Sequence, residues 1–279
     1  MTAITLKPTA SRRTAGSHRS QPVARQPVRQ KPAPRQIRKT VVEADRSTDL
    51  APSTRSAPLS HTFHGERGSV CLPPWVIDLE SFRRWAVSDE APDKTPVYFL
   101  ADEVWIDMSK EQLFSHNQLK LSLILILAPL SKQHAGRYVP DGMLLTNEAA
   151  ALSGNPDGMF VFNDSFREQR VRLVEGKKSG CVELEGTPDM VVEVVSDSSV
   201  QKDTEILRSL YWKAGIPEYW IVDGRGDEVS FTILKHTTRG YSAVRSSSGW
   251  LKSAVFGKSF RLTRRLDELG HPDFVLEVK

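Results

Sequence analysis

The sequence predicts a mixed α/β (α+β) domain around a mixed sheet, preceded by a disordered basic tail, and three observations carry that reading. Two segments with helical hydrophobic period are separated and followed by short strand-like runs, so the order is helix, strands, helix, strands. Each of those runs is bounded by Gly, Pro, Asn or Asp, and no internal repeat interrupts them. Ahead of them, residues 1 to 60 hold twelve Lys or Arg against Glu43, Asp45 and Asp49, a net charge of +9 that leaves −5 for the rest of the chain. That segment also has seven prolines and no aromatic residue, so it has too little to bury to offset the entropy of ordering it. The expected organisation is therefore a disordered tail over residues 1–65 and a single domain over 70–279. The tail reads as a solvated linker, with a transit peptide or a nucleic-acid-binding arm as the sharper alternatives.

The first structured run, PVYFLADEVWIDM, reads as a strand with Tyr98, Leu100, Val104 and Ile106 on one face. Ser109 and Gln112 then have capping-box spacing, and Leu113, Leu119, Leu123, Ile124 and Leu127 continue with helical period until Pro129. Short strands follow in RYVPDGMLLT, DGMFVFN, VRLVEG, CVELEG and PDMVVEVVS. A second helix over about 200–214 is expected to bury Ile206, Leu207, Leu210 and Tyr211 and to end at Gly215. EYWIVD and EVSFTILKH then form a hairpin across the turn at Gly224 to Asp227. The longest apolar run, Leu121 to Leu130, is about half the roughly 20 residues that a membrane span needs, and no secretory apolar segment opens the chain. Two cysteines, Cys71 and Cys181, are too few for a disulfide scaffold or a Cys-based zinc site. A reducing, cytoplasmic protein without a membrane span is the expectation, with any metal held by oxygen ligands.

Chemistry concentrates in TPDMVVEVVS. Period-2 alternation puts Asp189, Val191, Glu193 and Val195 on one face, and a carboxylate among valines is costly to bury without a cation or hydrogen bonds. Asp157 opens a second apolar strand in PDGMFV with the same local grammar. If the two strands are neighbours, the acids meet, and clustered carboxylates favour a hard divalent cation, Mg²⁺ or Mn²⁺. Hydrolysis of a phosphodiester fits such a centre, with a lysine near the attacking water. Lys202, six residues past Ser196, is the lysine within reach. Asp141 repeats the Pro-Asp pattern but is explained locally as a Pro-Asp-Gly turn. Trp212, Tyr219 and Trp220 are expected in the core rather than stacked on bases. No phosphate-binding glycine loop, Ser-His-Asp order or nucleophilic cysteine setting is present.

Asp157 in NPDGMFV, the run GTPDMVVEVVSDSS and the unit LYWKAGIPEYWIVD resemble the Uma-two family of restriction-endonuclease-like proteins, a branch of the PD-(D/E)XK nuclease superfamily. The resemblance spans about residues 75–235 and is most specific in GIPEYWIVD, Gly215 to Asp223. It implies a restriction-endonuclease-like core with a central mixed sheet flanked by helices, a Mg²⁺-dependent site and DNA as substrate. Asp157 is then similar to the motif's metal-binding Asp and Glu193 to its second acid, with Asp189 assisting at the metal. The motif lysine falls at Val195, and the family's alternative position one turn before the tyrosine falls at Leu207, which leaves Lys202, with Arg208 behind it. His116 stands where the family often has a histidine and would touch substrate. Cleavage of both strands would suit a homodimer. The competing reading is a catalytically inactive relative that binds nucleic acid or a protein partner.

Overall fold

Met190, Val191, Val192 and Val194 are at most 1% exposed, so the strand Met190–Val194 is covered on both faces, as its nearly unbroken apolar sequence requires. It pairs in parallel with Glu218–Asp223 and antiparallel with Gly158–Phe162. Gly136–Pro140 extends this sheet on one side, and Ser230–Thr237 followed by Gly240–Ala243 extends it on the other. A second mixed six-stranded sheet runs Glu103–Ile106, Val97–Leu100, Leu152–Gly154, Leu144–Asn147, Cys181–Gly186 and Val171–Glu175. Leu251–Lys252, Ser259–Leu266 and Pro272–Val278 make a three-stranded sheet. The fold is thus mixed α/β with helices flanking the central sheet, as predicted, and a second large sheet is added to it.

The structure, a computed structural model, describes residues 61–65, 68–92, 95–107, 109–176 and 180–279. The disorder expected of residues 1–60 lies outside the described residues. Residues 61–65 form a strand, His61–Gly65, that pairs antiparallel with Gly68–Leu72.

Alternation along the central strands divides the core. Met159, Val161 and Val191 face Tyr98, Leu145 and Leu184 of the second sheet together with Leu207, Leu210 and Tyr211. Phe160, Val192 and Trp220 face the opposite way, onto Leu119, Leu123 and Leu127 and the C-terminal Phe256, Phe260 and Phe274. Tyr219 and Trp220 are fully buried and Trp212 donates its indole N–H to the Thr237 carbonyl, so these rings are structural, as expected. Glu218, 1% exposed, accepts from Trp220 Nε1 at 3.0 Å, Ser253 Oγ at 2.8 Å, Val255 N at 3.1 Å and also Ala254 N. It fastens the C-terminal sheet to the central one.

Both helices that flank the site open with a π-helical turn. Leu113–Gln118 precedes the α-helix Leu119–Gln133, and Lys202–Ile206 precedes Leu207–Lys213, which ends at Gly215 with φ +73°. The expected capping box at Ser109 is absent: Gln112 is the N-cap and makes no side-chain cap bond, while Ser109 turns back to Asp107. The helix also continues one turn past Pro129. By length and composition, the 21-residue segment Leu113–Gln133, whose most apolar 18-residue window has mean hydropathy 1.3, is long and apolar enough to cross a membrane, which the ten-residue run had not suggested. Its Leu119, Leu123 and Leu127 are buried against the central sheet, as in the core helix of a folded domain.

PVYFLADEVWIDM is a hairpin, not one strand. Val97–Leu100 and Glu103–Ile106 pair antiparallel across Ala101 and Asp102, both at positive φ (51° and 65°). That two-residue turn normally selects Asn or Gly, so neither residue announces it.

Candidate active site

Gly158 pairs with Val192 across the central sheet, so Asp157, one step further, stands opposite Glu193. Both acids lie on the face shared with Met159 and Val191, at the C-terminal end of Met190–Val194. Asp157 Oδ2 accepts from the Val194 backbone N–H at 2.7 Å. Glu193, 1% exposed, accepts from the Tyr211 hydroxyl at 2.6 Å. The two acids the sequence singled out are therefore cross-strand neighbours.

Lys202 lines the same pocket as Asp157. Its π-helical turn directs the side chain inward, where Nζ lies 3.0 Å from Asp203 Oδ1 and 4.4 Å from the centre of the Tyr98 ring. With Asp157, His116, Asp203 and Asp141 it lines a pocket of about 40 Å³, room for a cation or a water or two. His116 Nε2 is 3.7 Å from Asp157 Oδ2, and His116 Nδ1 is buried without a hydrogen-bond partner.

Asp189 and Arg208 are not part of this cluster. Asp189 lies four residues before Glu193, and at about 3.3 Å per residue of strand that places it roughly 13 Å away. Its oxygens are occupied: Phe162 N donates at 2.8 Å, Ser165 Oγ at 2.6 Å and Arg170 Nη2 at 2.6 Å. It braces the turn after Gly158–Phe162. Asp189→Asn is expected to lower stability by about 2–3 kcal/mol, because a buried charge-assisted bond is lost, without changing metal dependence. Thermal melts beside a cleavage assay check this. Arg208 is exposed and donates to the Tyr241 carbonyl at 3.2 Å, on the outer side of its helix.

The structure adds residues that the sequence reading missed. Lys120 Nζ sits among three carboxylates, 2.8 Å from Asp141, 3.3 Å from Asp157 and 3.4 Å from Glu111. The legible signal was the i, i+4 spacing of His116 and Lys120, which puts both on one helix face, and a lone lysine entering an otherwise leucine-rich run. Asp203, 1% exposed, accepts from Ser199 Oγ, and the Tyr219 hydroxyl donates to its backbone carbonyl at 2.7 Å. Asp141, set aside as a turn residue, closes the pocket from the far side.

Glu111, Asp141, Asp157 and Asp203 thus line the pocket with Lys202 and His116, Lys120 is ion-paired to the first three, and Glu193 is the buried cross-strand neighbour of Asp157. Burial, opposed by Lys202 and reinforced by Asp157 and Asp203, pushes the Glu193 carboxyl well above the usual range. Asp157 goes the other way. Burial would raise it, but the His116 hydrogen bond, the Lys120 charge and the Val194 N–H outweigh that and hold it low. Burial likewise opposes the charge on His116, and Asp157 overcomes it, so the imidazole is held above its usual value. Two acids side by side with opposite shifts are the arrangement that separates a proton-holding group from a standing anion.

Among the described residues no three His, Cys, Asp or Glu side chains are placed to hold a metal ion unaided. Mg²⁺ does not need three, since one or two carboxylates with water and phosphate oxygens suffice. The surplus of carboxylates over cationic groups and their hard oxygen donors fit such an ion.

Comparison with known proteins matches a family model and solved structures. Residues 79–263 match the family model Uma2, described as "Putative restriction endonuclease". Among solved structures, the fold is similar to that of a crystallised "putative nuclease belonging to DUF820" from Anabaena variabilis, at 14% identity and a TM-score of 0.47, covering 65% of this chain and 91% of that one. No curated protein matches the chain.

Proposed function

Because this chain belongs to the Uma2 family, a restriction-endonuclease-like family, we propose that its acidic pocket is the active centre of a divalent-metal-dependent nuclease that hydrolyses phosphodiester bonds in DNA. The observation that carries the proposal is the cross-strand placement of Asp157, which lines a pocket with surplus negative charge and an inward-pointing lysine, opposite the buried Glu193. Asp157 and Glu193 would hold Mg²⁺ or Mn²⁺. When bound, the ion supplies a more acidic water and neutralises charge on the phosphate.

The chain's own groups do the rest. Tyr211 fixes one Glu193 oxygen and so orients the carboxylate. The Val194 N–H does the same for Asp157. Lys202, held against Asp203 and the Tyr98 ring, orients the attacking water and meets the phosphate. Lys120 balances Asp141, Asp157 and Glu111, three acids that would otherwise repel one another. The packed strands and Tyr98 keep bulk water from the inner wall.

The test is incubation of the protein with linear, supercoiled and single-stranded DNA in Mg²⁺ or Mn²⁺. Cleavage that needs metal is the expected outcome. Binding without cleavage of any substrate under either metal would leave the binding-module reading instead.

A further inference from the structure

Three clefts open side by side at the active pocket. The acid pocket shares Tyr98, Asp107, Ser199 and Lys202 with a cleft of about 260 Å³ on one side, and Lys110, His116 and Ser196 with a cleft of about 370 Å³ on the other; Ser109 lines all three. Arg225 stands in the larger cleft, whose lining is otherwise polar. The smaller cleft is built differently. Its wall is Tyr98, Trp105 and Ile106, and Trp105, half-buried, is the cross-strand partner of Tyr98. Its rim is polar: Ser198 Oγ donates to Ser109 Oγ at 2.8 Å, which donates to Asp107 Oδ1 at 2.6 Å. The Lys202 ammonium lies at the wall common to this cleft and the acid pocket.

An aromatic wall, a rim of hydroxyl and carboxylate groups, and an ammonium on the side of the acids are the parts of a nucleotide site. The ring offers a stacking face, the rim can pair with a base edge, and the ammonium meets the adjoining phosphate. Inside a duplex both faces of a base are covered by its neighbours, so only an unstacked base can enter such a cleft. We infer that the Trp105 cleft is a base-binding subsite beside the cleaved phosphate, and that the enzyme takes a strand that is unpaired there: single-stranded DNA, a frayed end or a flap. The position of the cleaved phosphate rests on the nuclease reading above; the base site does not.

The experiment uses the full chain with single-stranded oligonucleotides carrying 2-aminopurine at successive positions. EDTA is present, so that cleavage plays no part. Trp105→Leu keeps the apolar contact to the core and removes the stacking face, and Trp105→Phe keeps a ring. Quenching of 2-aminopurine at one position is expected, with single strands bound at least about 10-fold more tightly than the same sequence as a duplex. Trp105→Leu should lose about 10-fold in affinity together with the quenching, and Trp105→Phe should retain most of both. Equal affinity for single strand and duplex, no binding of either, or a folded Trp105→Leu that binds like the unmodified protein, would overturn the subsite. If Trp105→Leu does not fold, quenching spread evenly along the strand overturns it and quenching at one position supports it. Parallel assays in Mg²⁺ separate the two readings. Trp105-dependent stacking without cleavage defeats the nuclease and keeps the subsite, whereas cleavage indifferent to Trp105→Leu does the reverse.

Discussion

Glu193→Gln is expected to lower DNA cleavage by roughly 10³-fold or more, a loss of about 4 kcal/mol of transition-state stabilisation, while leaving the fold as stable as before. Glutamine has the same shape, and its carbonyl can still accept from the Tyr211 hydroxyl, so the packing around this 1%-exposed side chain survives. What it removes is the carboxylate, and with it the second anionic ligand proposed for the metal. The same substitution changes how stability depends on pH. In metal-free protein Glu193 is held well above its ordinary value of 4.5, and Asp203 above 3.8, so the folded state keeps protons that the unfolded state has released. Stability therefore falls as pH rises through the window above those ordinary values. Asp157, held below 3.8, contributes the opposite slope, and only at pH below that value. Thermal melts from pH 4 upward should show a shallower decline in Glu193→Gln than in the unmodified protein. An unchanged slope would show that Glu193 is already ionised in the folded state.

The largest effect on stability is expected at Glu218, which lies inside the family-specific run GIPEYWIVD. Replacement by Leu strands four donors, the buried indole of Trp220 and hydroxyl of Ser253 and the part-buried backbone N–H groups of Ala254 and Val255. An orphaned buried donor costs about 1–3 kcal/mol, and with partial relaxation the sum should be about 4 kcal/mol, at the upper end for a point substitution. In a domain of this size that is a fall in Tm of roughly 10 °C. Glu218→Gln, which keeps one acceptor oxygen, should fall by less. Cleavage per folded molecule should be unchanged in both, because Glu218 lies outside the acid pocket. Loss of activity out of proportion to the folded fraction would mean that Glu218 has a second role.

Alternation along the central strands was legible in the sequence because one physical rule governs it. An unbroken apolar strand must be buried on both faces, and acids embedded in it must find compensation; this located Glu193 and Asp157. The same alternation misled at Asp189, which it places on the correct face but four residues away along the strand, beyond reach of the ion that Glu193 would share. Lys120 and Tyr211 were not assigned to the site because each acts across the fold, and Asp203 because its side-chain partners Ser199 and Lys202 are local and give no strand or spacing signal. Lys120 reaches Asp141, 21 residues on, and Tyr211 reaches back 18 residues to Glu193. The π-helical turns that set His116 and Lys202 facing inward have no residue signature comparable to a cap or a glycine, and the hairpin at Ala101 and Asp102 lacks the usual Asn-Gly.

Titration of Mn²⁺ into the full chain, read by the relaxation of bulk water or by calorimetry, tests the metal centre without depending on the choice of DNA. The unmodified protein should bind one ion per chain at the acid pocket, with affinity rising with pH as Glu193 gives up its proton. Glu193→Gln should bind at least about 10-fold more weakly, whereas Asp189→Asn should bind as the unmodified protein does. Equal affinity in the unmodified protein and Glu193→Gln, or a loss confined to Asp189→Asn, would contradict a metal centre at Asp157 and Glu193.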